Sequence, residues 1–215
     1  MLDASLKQAY AAACSEHETS VAPALHRIDA ALEEAAHGRV ISDRLARLQT
    51  MRVLLLSGLF DPEFYLDKYP DVRAAGADPL EHFAHHGDAE NRQPNRLFYT
   101  RYYRKHHMNG LPADGNALQH YIEVGERSGG RPNAAFDPRG YVIANRGFAD
   151  YVDRPLFHFL KVGREGGQGI SAGVPDAALR ALDYLDYVIA HGSEHHDLLL
   201  EAKREIIDEL GIDDG

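Results

Sequence analysis

The chain contains no tryptophan and a single cysteine, Cys14, among its 215 residues. One thiol forms neither an internal disulfide nor a thiolate cluster, so nothing asks for an oxidising compartment. The lack of tryptophan removes the largest aromatic platform on which a sugar ring can stack. Long apolar runs are absent too: the longest aliphatic stretch, Val53 to Leu56, is far too short to span a bilayer. The N-terminus carries Asp3, Lys7 and Gln8 where a secretory signal needs a basic start and an apolar segment. These absences predict a cytoplasmic protein with neither export nor a membrane span. Cations are also in deficit, Lys plus Arg totalling 23 against 33 for Asp plus Glu, a net charge of -10. That field repels a phosphate backbone, so no nucleic-acid partner is expected. Patterns for catalysis are missing: no strand leads into a glycine-rich phosphate loop, no serine sits in a nucleophile elbow, and Cys14, although near His17, has no basic cluster beside it in sequence. The expectation is a non-enzyme without catalytic residues or a cofactor.

What is present is a packed composition, with 44% hydrophobic and 26% charged residues, and a strong internal repeat. Phe60, Phe98 and Phe136 are spaced by 38 residues, as are Tyr65, Tyr103 and Tyr141. The register continues through Leu80, Leu118 and Leu156, then His82, His120 and His158, then Phe83, Tyr121 and Phe159, and finally Gly87, Gly125 and Gly163. Each unit reads as two helices. The first starts at Asp61–Pro62 or Asp137–Pro138 and the second at Asp78–Pro79, with Asp as cap and Pro in the first turn. The glycine column falls where a helix end wants a left-handed residue, and reads as a set of helix stops. The polar stretches Glu90 to Asn95 and Ser128 to Asn133 read as loops between units.

A pair of short helices cannot bury its apolar face alone, and stacking on a neighbour solves that. The expected fold is therefore all-α: three repeats at about 59–96, 97–134 and 135–172 within a central region 58–172. Residues 1–57 form an N-terminal helical capping or oligomerisation region, and residues 173–215 a C-terminal helical hairpin. In the N-terminal flank Leu25, Ile28, Leu32 and Ala35 stripe a helix running from Pro23 to Gly38, and Leu45, Leu48 and Leu55 stripe another ending at Gly58. Leu182, Leu185 and Ile189, then Leu199, Ala202, Ile206 and Leu210, stripe the hairpin. These faces leave room for a partner helix, which makes a homodimer through the flanks one expectation.

The segment Ser57-Gly58-Leu59-Phe60-Asp61-Pro62-Glu63-Phe64-Tyr65-Leu66, followed by Tyr69-Pro70-Asp71-Val72, Asp78-Pro79-Leu80-Glu81-His82-Phe83 and the loop from Gly87 to Pro94, resembles the short helical repeats found beside glycosyltransferase domains in bacterial surface-polysaccharide biosynthesis proteins. The resemblance covers residues 57 to 170. It is strongest in the first unit, since Met108-Asn109 and Arg146-Gly147 replace Pro70-Asp71 in the others. It implies a setting in glycan assembly, with a polysaccharide-assembly enzyme or a glycan as partner. One reading is a non-catalytic module that docks on or positions a glycosyltransferase. The alternatives are a glycan-binding module, and part of a glycosyltransferase-type enzyme whose catalytic domain is absent here.

Candidate contact residues are few. Tyr99, Tyr102 and Tyr103 with Arg101 and Arg104 form the densest cluster of aromatic and planar cationic groups, with Tyr103 assigned to the packing column and Tyr99 and Tyr102 left for a ligand. Arg92 and Arg131, in equivalent loops, suit a phosphate or carboxylate, although helix-end carbonyls are the nearer target. His82 and His86 lie one helical turn apart, beside Glu81 and His85, but position 86 becomes Val124 and Val162 elsewhere, so no metal site is expected. The repeated His82, His120 and His158 are expected to bond to backbone. The adjacent pairs His106-His107 and His195-His196 are expected in solvent.

Overall fold

A computed structural model describes residues 2–37, 42–109, 115–133, 135–145, 154–164 and 204, and among them every regular element is helical. The C-terminal hairpin and His195-His196 lie outside the described residues. None of the described helices is long and apolar enough to cross a membrane.

Helix α1 spans Leu2–His37 without a break, rather than starting near Pro23. Pro23 removes one helical donor, the partner of the Thr19 carbonyl. Both residues are exposed, so water can take that carbonyl, and the helix continues through an otherwise costly residue. Helix α2 spans Ser42–Ser57 and ends at Gly58, whose φ of 68° is the left-handed stop expected there.

The first unit holds three helices, not two: α3 (Pro62–Lys68), α4 (Pro70–Ala74) and α5 (Pro79–His82). Pro70 accounts for the extra one. It forces Tyr69 out of the helical region, to φ -122° and ψ 80°, and then opens α4 as its first residue. The second unit, with Met108 in that register, has α6 (Thr100–His107) and α7 (Ala117–His120). The third has α8 (Pro138–Ala144) and α9 (Pro155–His158). The Asp caps act as expected: Asp61 accepts from Phe64 N, Asp78 from Glu81 N and Asp137 from Gly140 N, all within 3.0 Å. Asn116 does the same for α7.

In all three units the last helix opens into one π-helical turn, at Phe83–Gly87, Tyr121–Gly125 and Phe159–Gly163. The widened bonds run from Asp88 N to Phe83 O, Glu126 N to Tyr121 O and Arg164 N to Phe159 O, at 3.0, 2.9 and 2.9 Å. Each unit buries an aromatic trio. Tyr65 meets Phe83 edge-on at 5.7 Å, Tyr103 meets Tyr121 at 5.5 Å and Tyr141 meets Phe159 at 5.7 Å, with Phe60, Phe98 or Phe136 within 5.6 Å of both partners.

The N-terminal helices do not cap an end of the array. Helix α2 lies across α5, α7 and their π turns, and α1 packs on α2 and on the π turn after α9. Of the stripes expected to await a second chain, Ile28 and Ala35 are buried and Leu55 packs against the core, while Leu25, Leu32, Leu45 and Leu48 are half-buried. Helix α1 is fastened to the third unit through Tyr10, which packs on Phe157 and His158, and through Arg154, which lies 4.3 Å over the Phe157 ring and donates to Ser57 O and to Cys14 Sγ. Cys14 therefore does have a basic neighbour, supplied from 140 residues away.

Two asparagines join successive units. The Asn95 amide donates to Leu59 O at 2.6 Å while its oxygen accepts from Leu97 N and Phe98 N; Asn133 repeats this with Leu97 O, Ala135 N and Phe136 N. Both are 2% exposed, so the three backbone groups have little water to turn to. Asn95→Ala is expected to lower folding stability by about 2 kcal/mol, read from urea denaturation. A loss below about 0.5 kcal/mol would show that the joint is dispensable.

Candidate functional site

The repeated histidines, expected to bond to backbone, each pair with a tyrosine side chain. In each unit the imidazole Nδ1 pairs with the tyrosine hydroxyl 17 residues earlier: Tyr65 with His82 at 3.0 Å, Tyr103 with His120 at 2.8 Å and Tyr141 with His158 at 2.6 Å. The helix pair of each unit is therefore clasped side chain to side chain, because the tyrosine reaches across the aromatic trio to the last turn before the π segment. Burial pushes the Tyr65 and Tyr103 hydroxyls well above the ordinary tyrosine range. Burial also lowers His82, and takes His158, 0% exposed beneath Tyr10, down to about 4. At neutral pH the His82 and His158 rings are therefore neutral, as are the Tyr65 and Tyr103 hydroxyls. With the ring in its Nε2–H form, the hydroxyl donates to Nδ1.

The glycine column serves this clasp and does not stop the helix. Gly87, Gly125 and Gly163 have no positive φ. A Cβ on any of them would overlap the hydroxyl oxygen of Tyr65, Tyr103 or Tyr141. Glycine is thus required for close approach rather than for backbone freedom. The stop comes four residues later. Asn91, at φ 59°, and Gly129, at φ 80°, are the left-handed residues. Around them Arg92 N bonds Gly87 O and Asn91 N bonds Asp88 O, as Gly130 N bonds Gly125 O and Gly129 N bonds Glu126 O. That is the paired hydrogen bonding of a Schellman motif.

Carboxylates in one register link each unit to the next. Asp88 accepts from Ala117 N at the start of α7 and pairs with Arg104, while Glu126 accepts from Leu156 N in α9 and from the Tyr121 hydroxyl. Burial raises the Asp88 carboxyl, against the pull of Arg104. The pattern was readable in principle, since positions 88 and 126, like 95 and 133, share the 38-residue spacing; what hid it was the Asp-to-Glu exchange and the turn-forming composition around it.

The proposed contact residues fall into different places. Tyr99 is 8% exposed, with its backbone N donating to Pro132 O, so it belongs to the joint between units and is not an open platform for a ligand. Its register is that of the cap residues Asp61 and Asp137. Tyr102 is half-buried and stacks on the exposed His106 at 4.1 Å, with Arg101 exposed on the same helix. His107 is not simply solvated: its Nε2 accepts from Arg131 N at 3.1 Å. Neither loop arginine seeks helix-end carbonyls. Arg92 grips Asp71 through two bonds of 3.0 and 2.7 Å, donates to Glu90 at 2.6 Å and lies 4.9 Å over the Tyr69 ring. The Arg92 bonds hold Asp71 below the usual carboxylate range. Arg131 donates to Asp137 at 2.9 Å. Rings His82 and His86 lie 5.8 Å apart, and among the described residues no group of three or more His, Cys, Asp or Glu is placed to hold a metal ion.

No protein family, curated protein or solved structure matches this chain. The site must therefore be judged on its own geometry. The third clasp is buried and the first two are part-buried, and each ties the helices of its unit together beneath the side chains the unit displays.

Proposed function

We propose that this chain is a non-catalytic interaction module of bacterial surface-polysaccharide assembly, which docks on or positions a glycosyltransferase. The resemblance of residues 57 to 170 supplies the biological setting. The observation that carries the reading is one clasp used three times beneath outward surfaces that differ. In the column after the clasp histidine, His86 and Val124 are exposed, Val124 by 50%. The Arg92–Asp71–Glu90 network of the first unit has Gly130 in the Arg92 register of the second, where Arg131 pairs with Asp137 instead. A constant frame with varied faces suits recognition of an extended partner surface.

Affinity purification of the tagged chain from its native cell, with quantitative mass spectrometry, tests this. A glycosyltransferase should be enriched, and at least about tenfold less of it recovered with Val124→Asp plus Arg92→Ala, which change an exposed side chain and a half-buried surface network outside the clasp. Absence of any glycosyltransferase, or recovery indifferent to both changes, overturns the docking reading. A glycan-binding module is the second reading, favoured by the Tyr102–His106 stack beside Arg101. Polymer recovered in the same eluate, and lost on Tyr102→Ala, would select it.

A further inference from the structure

Arg96, Lys161 and Arg164 converge on a cavity of about 90 Å³ between the entry to the first unit and the π turn of the third. They come from segments 65 residues or more apart in sequence, and the backbone on both sides is well held. Arg96 follows Asn95, whose side chain is bonded to Leu59 O, Leu97 N and Phe98 N. Lys161 and Arg164 lie three residues apart on the π turn after α9, closed by the bond from Arg164 N to Phe159 O. Among the described residues that line the cavity, cations outnumber carboxylates three to one, on a chain of net charge -10. The carboxylate is Asp61, whose Oδ1 accepts from Phe64 N in capping α3.

We propose that this cavity binds a small dissolved phosphate-bearing anion, a phosphate or diphosphate. At roughly 10 to 15 Å³ of such space per water position, it holds a handful of waters, the scale of a phosphate group rather than of a polymer segment. Guanidinium groups match phosphate oxygens through paired N–H donors, and each has five, so engagement with protein still leaves donors for an anion. Lys161 adds a mobile point charge at the rim, where it is exposed. The site involves neither the clasps nor the surfaces invoked for docking, and stands or falls apart from that reading.

Isothermal titration of the full chain with sodium pyrophosphate at fixed ionic strength tests the assignment. Saturable binding is expected. Lys161→Gln and Arg164→Gln should each weaken it by about tenfold or more, while Arg127→Gln, which removes an equal charge outside the cavity, should change it less than about twofold. Thermal melts of every variant identify any that fails to fold; Lys161→Gln, at an exposed position, keeps the test available in that event. No saturable binding, an equal loss with Arg127→Gln, or unchanged affinity in the folded cavity variants would overturn the proposal. Binding only to phosphatidic acid vesicles, with none to pyrophosphate, would also overturn it, as the ligand would then be a membrane surface.

Discussion

Gly125→Ala is expected to lower folding stability by about 4 kcal/mol, the upper range for overpacking plus the loss of a buried hydrogen bond. The added methyl would overlap the Tyr103 hydroxyl oxygen, with the next contacts to the Tyr103 ring at 3.0 Å and the Tyr121 ring at 3.3 Å. Tyr103 is 0% exposed and wedged between Phe98 and Tyr121, so it cannot yield without releasing His120 and disturbing the aromatic trio. Two comparisons isolate this cause. Gly76→Ala makes the same exchange at a φ of 62° with nothing within 4 Å, and should cost only the left-handed penalty of about 1 to 2 kcal/mol. In a Tyr103→Phe background, where the clashing oxygen is gone, Gly125→Ala should cost less than half as much as in the native chain. Chemical denaturation of the four variants completes the cycle. Equal costs at Gly125 and Gly76, or strict additivity with Tyr103→Phe, would refute the close-approach account of the glycine column.

Acidification from pH 6.5 to 4 is expected to remove about 3 kcal/mol of stability through His158 alone. Its folded pKa of about 4 lies below the ordinary 6.5, so in this window the unfolded chain takes up a proton that the folded chain refuses. The contribution is fully present above pH 6.5, falls as pH drops toward 4, and is spent below that. His17, His82, His85 and His107, lowered chiefly by burial, act in the same direction. Asp88 acts in the opposite sense: its raised carboxyl pKa makes the folded chain the better proton acceptor as pH falls. Unfolding free energies measured across this range should slope steeply in the native chain and visibly less in His158→Gln. A profile of identical slope in the two would show that the buried third clasp is not the titrating element.

The regular spacing of Phe60, Tyr65, Leu80, His82 and Phe83 with their counterparts was legible because residues that must be buried at the same place in successive units have to recur at one interval. The Asp–Pro starts were legible for a local reason, since a carboxylate bonds the free N–H groups of the turn that follows it. The candidate contacts were less so: Tyr99 and Tyr102 look alike in a list of exposed aromatics, yet one closes the joint between units and the other stacks on His106 at the surface.

By itself, then, the sequence determined the helical class, the 38-residue spacing of the aromatic interior and the helix starts at Asp–Pro, because each depends on periodicity or on neighbours within four residues. Only the tertiary structure decided that the histidines clasp tyrosines, that the glycines make room for those hydroxyls, that the last helix of each unit widens into a π turn, and that α1 and α2 cover the units instead of ending them. An amphipathic stripe states that a face must leave water and not what will cover it, and a glycine admits a left-handed turn as readily as a close contact. Those choices are made by atoms that the chain brings together from 17, 36 or 140 residues away.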